Sequence, residues 1–225
     1  MINLYFDLDD VVFDFSRDFI RFVNDLYNKE YIKLLPNPKA FTPIEVFGIE
    51  EEIFRPLLDK YIELAQFEHQ PLMPHAFEAL TYVNNYVGIK FNTPNFITVR
   101  DPESIIHTIS RLQTVYEYIK YNPLEGFKLF SANSKHHKKW QIIKELSKYN
   151  SEGIFIDDHP DYINDVVSHC PGVITFWMNS VGVHNGAHPH YTITDWQQFI
   201  SLVDDKSYSE LLKDSNHPGV QMEIR

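Results

Sequence analysis

Acidic side chains follow two apolar runs that lie far apart in the chain. Asp7 and Asp9 come directly after INLYF, and Asp157 and Asp158 end the run IFIDD. Carboxylates gathered at strand ends repel one another unless a cation counters their charge. Mg²⁺ prefers oxygen ligands, so the pattern predicts a magnesium site that Asp7 and Asp158 share.

Phosphoryl transfer is the chemistry that suits this set of side chains. Asp7 is predicted to attack phosphorus once a metal counters the charges of carboxylate and phosphate. Asp9 lies two residues further along an extended segment and therefore on the same side of it. We expect Asp9 to protonate the leaving oxygen and later to take a proton from water.

The phosphate itself needs hydrogen-bond donors and a cation. The Thr98 hydroxyl follows the run NFI, and we expect it to hold the phosphoryl oxygens together with nearby backbone N–H groups such as that of Val99. Arg100 is predicted to touch phosphate or ribose, with a salt bridge to Asp101 or Glu103 as the alternative.

A lysine at a helix start would cancel the charge of an aspartyl-phosphate. Lys135, Lys138 and Lys139 all lie near the start of the same predicted helix. We favour Lys139 because it directly precedes the apolar helix face in WQIIKEL. For Asp157 two roles stay open: it assists the metal indirectly, or it orients Lys139 or a water molecule.

Alternating strands and helices must position these groups. NFITV, FKLFSA, GIFID and GVITFW read as strands, and a helical pattern follows each of them. Such alternation predicts right-handed βαβ units and hence an α/β fold with a Rossmann-like parallel sheet. Ligands of such sheets bind at the carboxyl ends of the strands. GVITFW is predicted as the last strand, and a polar tail follows residue 204.

Composition narrows the classes of function. The chain has 225 residues and a formal net charge of −11, which argues against binding a nucleic-acid polymer. The single Cys170 excludes an internal disulfide and fits a reducing compartment. No run approaches the roughly 20 apolar residues of a membrane span, and no signal-peptide pattern is present. We therefore expect a cytoplasmic protein that does not contact membranes.

Four motifs, in order, resemble those of the haloacid dehalogenase-type phosphatases. DLDDVV is similar to their DxDx[TV] signature, FITVR to their second motif, the lysine at a helix start to the third, and IFIDD to the fourth. The resemblance implies Mg²⁺ as cofactor, Asp7 as nucleophile and Asp9 as general acid/base. It also implies that the Asp9 backbone carbonyl binds the metal.

The same resemblance implies a domain plan with an inserted helical cap. Residues 1–15 and 74–205 would form the α/β core, 16–73 the cap that closes over the site, and 206–225 a C-terminal tail. The pattern of residues 16 to about 72 is helical and rich in loops, with no strand signal, which agrees with this plan.

Within that family, the chain is most similar to the 5′(3′)-deoxyribonucleotidases. DLDDVVFDF resembles their DMDGVLADF, and PLMPHAFEAL resembles the PIPGA segment at the end of their cap. Phe15 occupies the place of their base-stacking phenylalanine. Two features depart from that pattern: Asp10 replaces a glycine, and Thr-Val-Arg replaces Thr-Ser-Pro in the second motif.

These features predict a Mg²⁺-dependent phosphomonoester hydrolase that forms an aspartyl-phosphate, with (deoxy)ribonucleoside monophosphates as favoured substrates. A phosphatase of sugar phosphates or other small metabolites is the alternative in the same class. A non-catalytic phosphate-binding or regulatory protein is the alternative from another class.

A homodimer is compatible with the sequence. His184, His188 and His190 suggest zinc by their spacing, but no cysteine or acid accompanies them, which favours a mobile loop.

Overall fold

The structure, a computed structural model of the chain, describes residues 1–36, 38–39, 41–100, 102–119, 127–132, 137–183 and 186–215. Its strands are β1 (Asn3–Phe6), β2 (Asn95–Thr98), β3 (Lys128–Ser131), β4 (Gly153–Asp157), β5 (Val173–Met178) and β6 (Tyr191–Ile193). These strands form one parallel sheet in the order β3-β2-β1-β4-β5-β6. The predicted α/β fold with a parallel sheet is confirmed.

Helices connect and cover the strands. They are α1 (Phe15–Tyr27), α2 (Pro43–Phe47), α3 (Glu51–Glu63), α4 (Ala76–Asn85), α5 (Pro102–Tyr118), α6 (Lys139–Leu146), α7 (Pro160–His169), α8 (Trp196–Asp205) and α9 (Tyr208–Ser215). A 3₁₀ turn spans Gln66–Glu68. Between β2 and β5 one helix connects each strand to the next, which is the βαβ arrangement of parallel strands.

The sheet is buried on both faces, which explains why its central strands are nearly continuous apolar runs. Every residue of β4 and β5 is buried. Along β1, Leu4 and Phe6 belong to the core under α4, α5 and α8, whereas Tyr5 points into the core under α6 and α7. Gly153 of β4 permits this arrangement, because a Cβ atom there would lie 2.9 Å from the Tyr5 ring.

The order of the strands reverses beside β1. The chain passes from β1 to β2 and β3 on one side, and it then crosses to β4, β5 and β6 on the other. The carboxyl ends of β1 and β4 therefore flank a topological switch point, where the connections leave a crevice that can admit a ligand. The acidic pairs of the sequence follow these two strands.

Helices α1 to α3 pack around an apolar cluster of their own. Its buried members are Phe19, Val23, Ile32, Val46, Phe47, Ile49, Leu57, Tyr61 and Phe67. Local signals define the helices: Asp14 caps α1, Thr42 caps α2 ahead of Pro43, and Gly48 ends α2 at φ 71°. This cluster lies within the segment 16–73, for which a cap domain is predicted; we call this segment the cap.

Two connections join the cap to the sheet, and they pair with each other. The Asp14 N–H donates to the Pro71 carbonyl and the Met73 N–H to the Val12 carbonyl, each at 2.9 Å. Phe13 and Leu72 form an antiparallel bridge between these bonds. The outgoing and returning segments therefore form a short two-stranded ribbon, in which Phe13 is fully buried.

The prediction that GVITFW is the last strand is wrong. β6 adds a sixth strand beside β5, with Phe176 paired to Tyr191 and Met178 to Ile193. It has only three residues, fewer than a run that periodicity can identify.

The polar segment after residue 204 also contains α9, whose Leu211 is buried in the core. Tyr208 and Leu212 pack against the same core, so the three apolar side chains lie at the i, i+3, i+4 spacing of one short helix face.

None of the helices among the described residues combines the length and the apolar character needed to cross a membrane.

Candidate active site

Three carboxylates meet at the switch point of the sheet. Asp7 continues β1, with its N–H donating to the Ile156 carbonyl at 2.9 Å, while Asp157 ends β4 and Asp158 follows it. One carboxylate oxygen of each aspartate lies within 4.8 Å of the others. All three residues are buried. The predicted meeting of the two strand ends is what the structure shows.

Lys139, the first residue of α6, reaches into this group. Its Nζ donates to Asp7 Oδ1 at 2.5 Å and to Asp157 Oδ2 at 2.7 Å, and its side chain is 2% exposed. Lys138, by contrast, pairs with Asp165 near the surface at 3.3 Å. Lys135 lies outside the described residues. Of the two lysines that the structure describes, only Lys139 contacts the acidic group.

The contacts of Asp157 favour one of the two roles that the sequence left open. Its Oδ2 accepts from Lys139, and its Oδ1 accepts from the His159 backbone N–H at 2.9 Å. Both oxygens are thus engaged by the protein, which fits a residue that orients Lys139. Asp158 differs: its backbone carbonyl accepts from the Trp177 indole at 2.7 Å, and no hydrogen bond to its carboxylate is described.

Burial and mutual repulsion dominate the electrostatics of the group. Burial, with Asp157 and Asp9 adding to it, raises the pKa of Asp7 from 3.8 to about 7 although Lys139 lowers it. The pKa of Asp158 is raised well above its usual value by burial and by Asp157, Asp7 and Asp10. Burial alone would lower the pKa of Lys139, but Asp157 and Asp7 outweigh burial and raise it.

One ammonium group therefore lies among three buried carboxylates. A hard divalent cation with a preference for oxygen would relieve the remaining repulsion. The donor set consists of carboxylate oxygens, with no cysteine or histidine ligand among the described residues of the group. The residues fit Mg²⁺, as predicted from the sequence.

Asp9 differs from Asp7 in its exposure and in its partner. Its side chain is 31% exposed and lies apart from the three-carboxylate group. Arg100 holds it with a bidentate pair: Nη2 donates to Oδ1 at 2.5 Å and Nε to Oδ2 at 3.0 Å. The sequence suggested Asp101 or Glu103 as acidic partners of Arg100; Asp101 lies outside the described residues. Among the residues that the structure describes, the acidic partner of Arg100 is Asp9, 91 positions away in the chain.

The predicted phosphate-binding residues lie at the end of β2. Thr98 is fully buried, and its Oγ1 accepts from the Arg100 backbone N–H at 3.3 Å. Val99 is half-buried and packs against the core under α6 and α7. The roles of Thr98, Val99 and Arg100 in phosphate binding stay predictions.

Phe15, the predicted base-stacking residue, is the first residue of α1 and packs against the aromatic interior of the cap. It stacks on Phe19 and on Phe67, with ring centroids 5.5 Å and 6.4 Å away, and meets Tyr61 edge-on at 5.9 Å. The ring is half-buried, so part of it remains accessible. Contact with a substrate base stays a prediction.

Asp10 connects the site to the cap in a way that its sequence position alone did not reveal. Its φ is 53°, a region that asparagine and aspartate tolerate better than most residues. Its carboxylate accepts from the Ser16 N–H at 2.8 Å and from the Ser16 hydroxyl, at the start of α1. Burial raises its pKa to about 7. Asp10 therefore fixes the outgoing connection.

An aromatic surface beside Lys139 also escaped the sequence analysis. Phe41 of the cap contacts the His159 ring at 5.1 Å, and His159 contacts Tyr162 at 4.8 Å. Lys139 Nζ lies 4.5 Å from the centre of the Tyr162 ring. We call these three half-buried rings the aromatic rim. Neither periodicity nor motif signals that Phe41 leaves the cap cluster.

The histidine-rich loop is anchored rather than free where the structure describes it. His190 Nδ1 lies 3.0 Å from the Thr175 backbone nitrogen and 2.9 Å from its Oγ1, which ties the loop to β5. The His188 N–H donates to Asn164 at 2.8 Å. His184 lies outside the described residues. A cluster suited to zinc is absent from the described part of this loop.

Comparison with known proteins identifies the fold. No family profile and no curated protein matches this chain. Among solved structures, the magnesium-bound HAD hydrolase YfnB of Bacillus subtilis is similar with a TM-score of 0.59 and 17% identity over 90% of this chain and 98% of its own. A predicted phosphoglycolate phosphatase from Haemophilus somnus is similar with a TM-score of 0.54 and 13% identity, over 89% of this chain and 96% of its own.

A HAD-family hydrolase from Deinococcus radiodurans, with bound phosphate and sodium, gives a TM-score of 0.54 at 11% identity, over 90% of this chain and 95% of its own. The similarity to these structures extends over the sheet and the cap together. It shows that this chain has the fold of the haloacid dehalogenase-type hydrolases.

Proposed function

We propose that the chain is a Mg²⁺-dependent phosphomonoester hydrolase that works through an aspartyl-phosphate on Asp7. One observation carries the proposal: Lys139 lies buried between Asp7 and Asp157, with the Asp158 carboxylate beside them. A buried lysine held on a carboxylate at a strand end supplies the positive charge that an attacking carboxylate and a phosphate both need.

Two displacements at phosphorus make up the reaction. An Asp7 oxygen bonds to phosphorus as the bond to the leaving oxygen breaks, and Asp9 donates a proton to that oxygen. Water then attacks the aspartyl-phosphate while Asp9 takes its proton, and inorganic phosphate leaves with Asp7 restored. Thr98 and the Val99 N–H would bind phosphoryl oxygens, and Lys139 would stabilise their charge.

Asp7 and Asp158 would hold the magnesium ion together with the Asp9 backbone carbonyl, as the resemblance implies. When bound, the ion supplies positive charge that lowers repulsion between the carboxylates and the phosphate. Asp157 keeps Lys139 in place from the other side.

A nucleoside 5′-monophosphate is the substrate class that we propose. The half-buried Phe15 at the start of α1 and the aromatic rim beside Lys139 both support a leaving group that carries a planar base, because bases stack on aromatic rings for about 1–3 kcal/mol each. The similarity to a predicted phosphoglycolate phosphatase supports the broader class of small phosphorylated metabolites.

Phosphate release from a panel of nucleoside monophosphates and sugar phosphates tests the activity. We expect turnover with Mg²⁺, loss of turnover with EDTA, and none with Asp7→Asn. Asp165→Asn is the matched control, because Asp165 is a partly exposed acid on α7 outside the site. If the parent chain releases no phosphate from any compound with Mg²⁺, the chain is a non-catalytic protein and the proposal is wrong.

Aromatic substitutions test the substrate class separately. Phe15→Ala and Phe41→Ala should each lower kcat/KM for a nucleoside monophosphate by about 10-fold or more, from lost stacking, and affect p-nitrophenyl phosphate less. Phe77→Ala, on the exposed side of α4, is the control. Equal losses on both substrates would leave a phosphatase of other small metabolites as the better description.

A further inference from the structure

Arg100 is buried, and its described hydrogen bonds all go to the protein. Besides the bidentate pair with Asp9, Nη2 donates to Gln70 Oε1 at 2.6 Å and Nη1 to Thr108 Oγ1 at 2.7 Å. The side chain is 3% exposed. This network involves Nε, Nη1 and Nη2 of the guanidinium group, which leaves it poorly placed to bind a phosphate.

Two of the groups around Arg100 come from the returning end of the cap. The guanidinium carbon lies 4.2 Å from the centre of the Phe67 ring, within the range of a cation–π contact. Gln70 is fully buried, and its Nε2 has no hydrogen-bond partner among the described residues. The contact with Arg100 through Oε1 therefore secures the Gln70 side chain. Arg100 is where the cap, the end of β2 and Asp9 meet.

The geometry of the pair determines what Arg100 can do. A planar guanidinium that binds both carboxylate oxygens fixes the plane of the carboxylate, which the ammonium group of a lysine cannot do. Asp9 is partly exposed and would otherwise turn freely in water. Proton transfer requires its oxygen within about 2.6–3.2 Å of the leaving oxygen, so the orientation of Asp9 matters directly.

We propose that Arg100 is a positioning residue that orients Asp9 for proton transfer and makes this orientation depend on the cap segment 66–70. The inference rests on the proposed function, because it assumes that Asp9 is the general acid. It assigns Arg100 a different role from the phosphate contact that the sequence suggested.

Leaving-group dependence distinguishes this role from a structural one. An alkyl leaving group, as in a nucleoside monophosphate, needs a proton when its bond to phosphorus breaks, whereas p-nitrophenolate leaves without one. Arg100→Ala should therefore lower kcat/KM about 100-fold on the alkyl substrate and less than about 10-fold on p-nitrophenyl phosphate. We compare kcat/KM because it reports the first displacement and not the later attack of water, in which Asp9 takes a proton whichever substrate was used. On the alkyl substrate KM should change by less than about 3-fold, because the lost interaction acts in the transition state.

Arg111 offers a matched control. It is a second arginine at the same junction, with Nε donating to the Gln70 carbonyl at 2.9 Å, and no contact between it and Asp9 is described. Arg111→Ala should lower kcat/KM on the two substrates by the same factor. Arg100→Lys should recover part of the alkyl-substrate activity, and Gln70→Leu should show a weaker loss with the same leaving-group pattern. If Arg100→Ala does not fold, Arg100→Lys and Gln70→Leu still test the proposal.

Several results would overturn the proposal. Equal losses on both substrates for Arg100→Ala, as for Arg111→Ala, would mean that Arg100 only anchors the cap. A raised KM with unchanged kcat would restore the phosphate-binding role. If the parent chain has no phosphatase activity, the proposed function fails first, and a crystal structure of Arg100→Lys then decides the orienting role. An Asp9 carboxylate unchanged in position and order would refute it.

Discussion

Asp7 and Asp9 are two residues apart on one strand end, and each has a basic partner, yet their surroundings differ. Asp7 is buried and shares Lys139 with Asp157. Asp9 is partly exposed, and both of its carboxylate oxygens accept hydrogen bonds from Arg100. Lys139 comes from the sheet side of the site, at the start of α6. Arg100 is held in addition by Gln70 and Phe67 of the cap.

The contrast teaches how one strand end can serve two chemical tasks. A point charge such as the lysine ammonium can be shared among several oxygens, as Lys139 is shared between Asp7 and Asp157. A guanidinium fork instead specifies orientation. The proposed nucleophile thus shares its counter-charge, and the proposed acid has a fixed direction.

Turnover should separate the two aspartates most strongly. Asp7→Asn removes the attacking oxygen, so we expect kcat to fall by at least about 10⁴-fold on every substrate. Asp9→Asn should lower kcat/KM, which reports the first displacement, about 10²–10⁴-fold on alkyl phosphates and clearly less on p-nitrophenyl phosphate. Steady-state kinetics on both substrates measures this. Full turnover by Asp7→Asn would show that the nucleophile lies elsewhere.

Stability should separate the two basic residues. Lys139→Met leaves buried carboxylates unpaired and should lower the free energy of unfolding by about 3–5 kcal/mol. Arg100→Met leaves Asp9 unpaired, and water can reach that carboxylate. The free energy of unfolding should therefore fall by less, about 1–3 kcal/mol. Lys138→Met removes only a pair near the surface and should cost about 0–1 kcal/mol. Denaturant titration in EDTA gives the order; a reversal of the first two would contradict the contrast.

Magnesium should stabilise the folded chain through the carboxylates beside Lys139, and substitution of Arg100 should not change this effect. At a concentration 100 times its Kd, a ligand of the folded state adds about 2.7 kcal/mol to the free energy of unfolding. We expect this gain in the parent chain and in Arg100→Lys, and its loss in Asp158→Asn. Thermal or denaturant unfolding with and without Mg²⁺ measures the gain. An undiminished gain in Asp158→Asn would place the ion at another site.

The metal-free protein should become less stable as the pH rises from about 4 to about 7. The pKa values of Asp7 and Asp10 are raised from 3.8 to about 7 by burial, so in this window the folded chain binds protons that the unfolded chain has lost. Each group then contributes a slope of up to about −1.4 kcal/mol per pH unit. Denaturant titrations in EDTA should show smaller slopes for Asp7→Asn and Asp10→Asn. A stability that increases over this window would contradict the shifts.

The fold was predictable because its signals are local. Each central strand is buried on both faces and reads as an apolar run, and each run is followed by a helical period. The positions of Asp7, Asp157 and Asp158 then follow from the rule that parallel strands end at one edge. Lys139 was identifiable because it directly precedes the apolar face of its helix. The proposed roles of these residues, the cap boundaries, the cytoplasmic location and the homodimer stay predictions.

The rest depends on contacts between distant segments. The nearest acids to Arg100 in the sequence are Asp101 and Glu103, but its partner Asp9 is selected by how β1, β2 and the cap meet. Phe41 has the composition of a cap-core residue and packs on His159 instead. No periodicity encodes either pairing, because the first joins the ends of two strands and the second joins the cap to the start of α7.

The ribbon that joins the cap to the sheet restricts how the length of this chain can vary. An added residue in either connection would shift the pairing of residues 12–14 with 71–73 by one position, and a shift of one turns side chains to the opposite face. Phe13 would then leave the core. Insertions are therefore not compatible with these two segments.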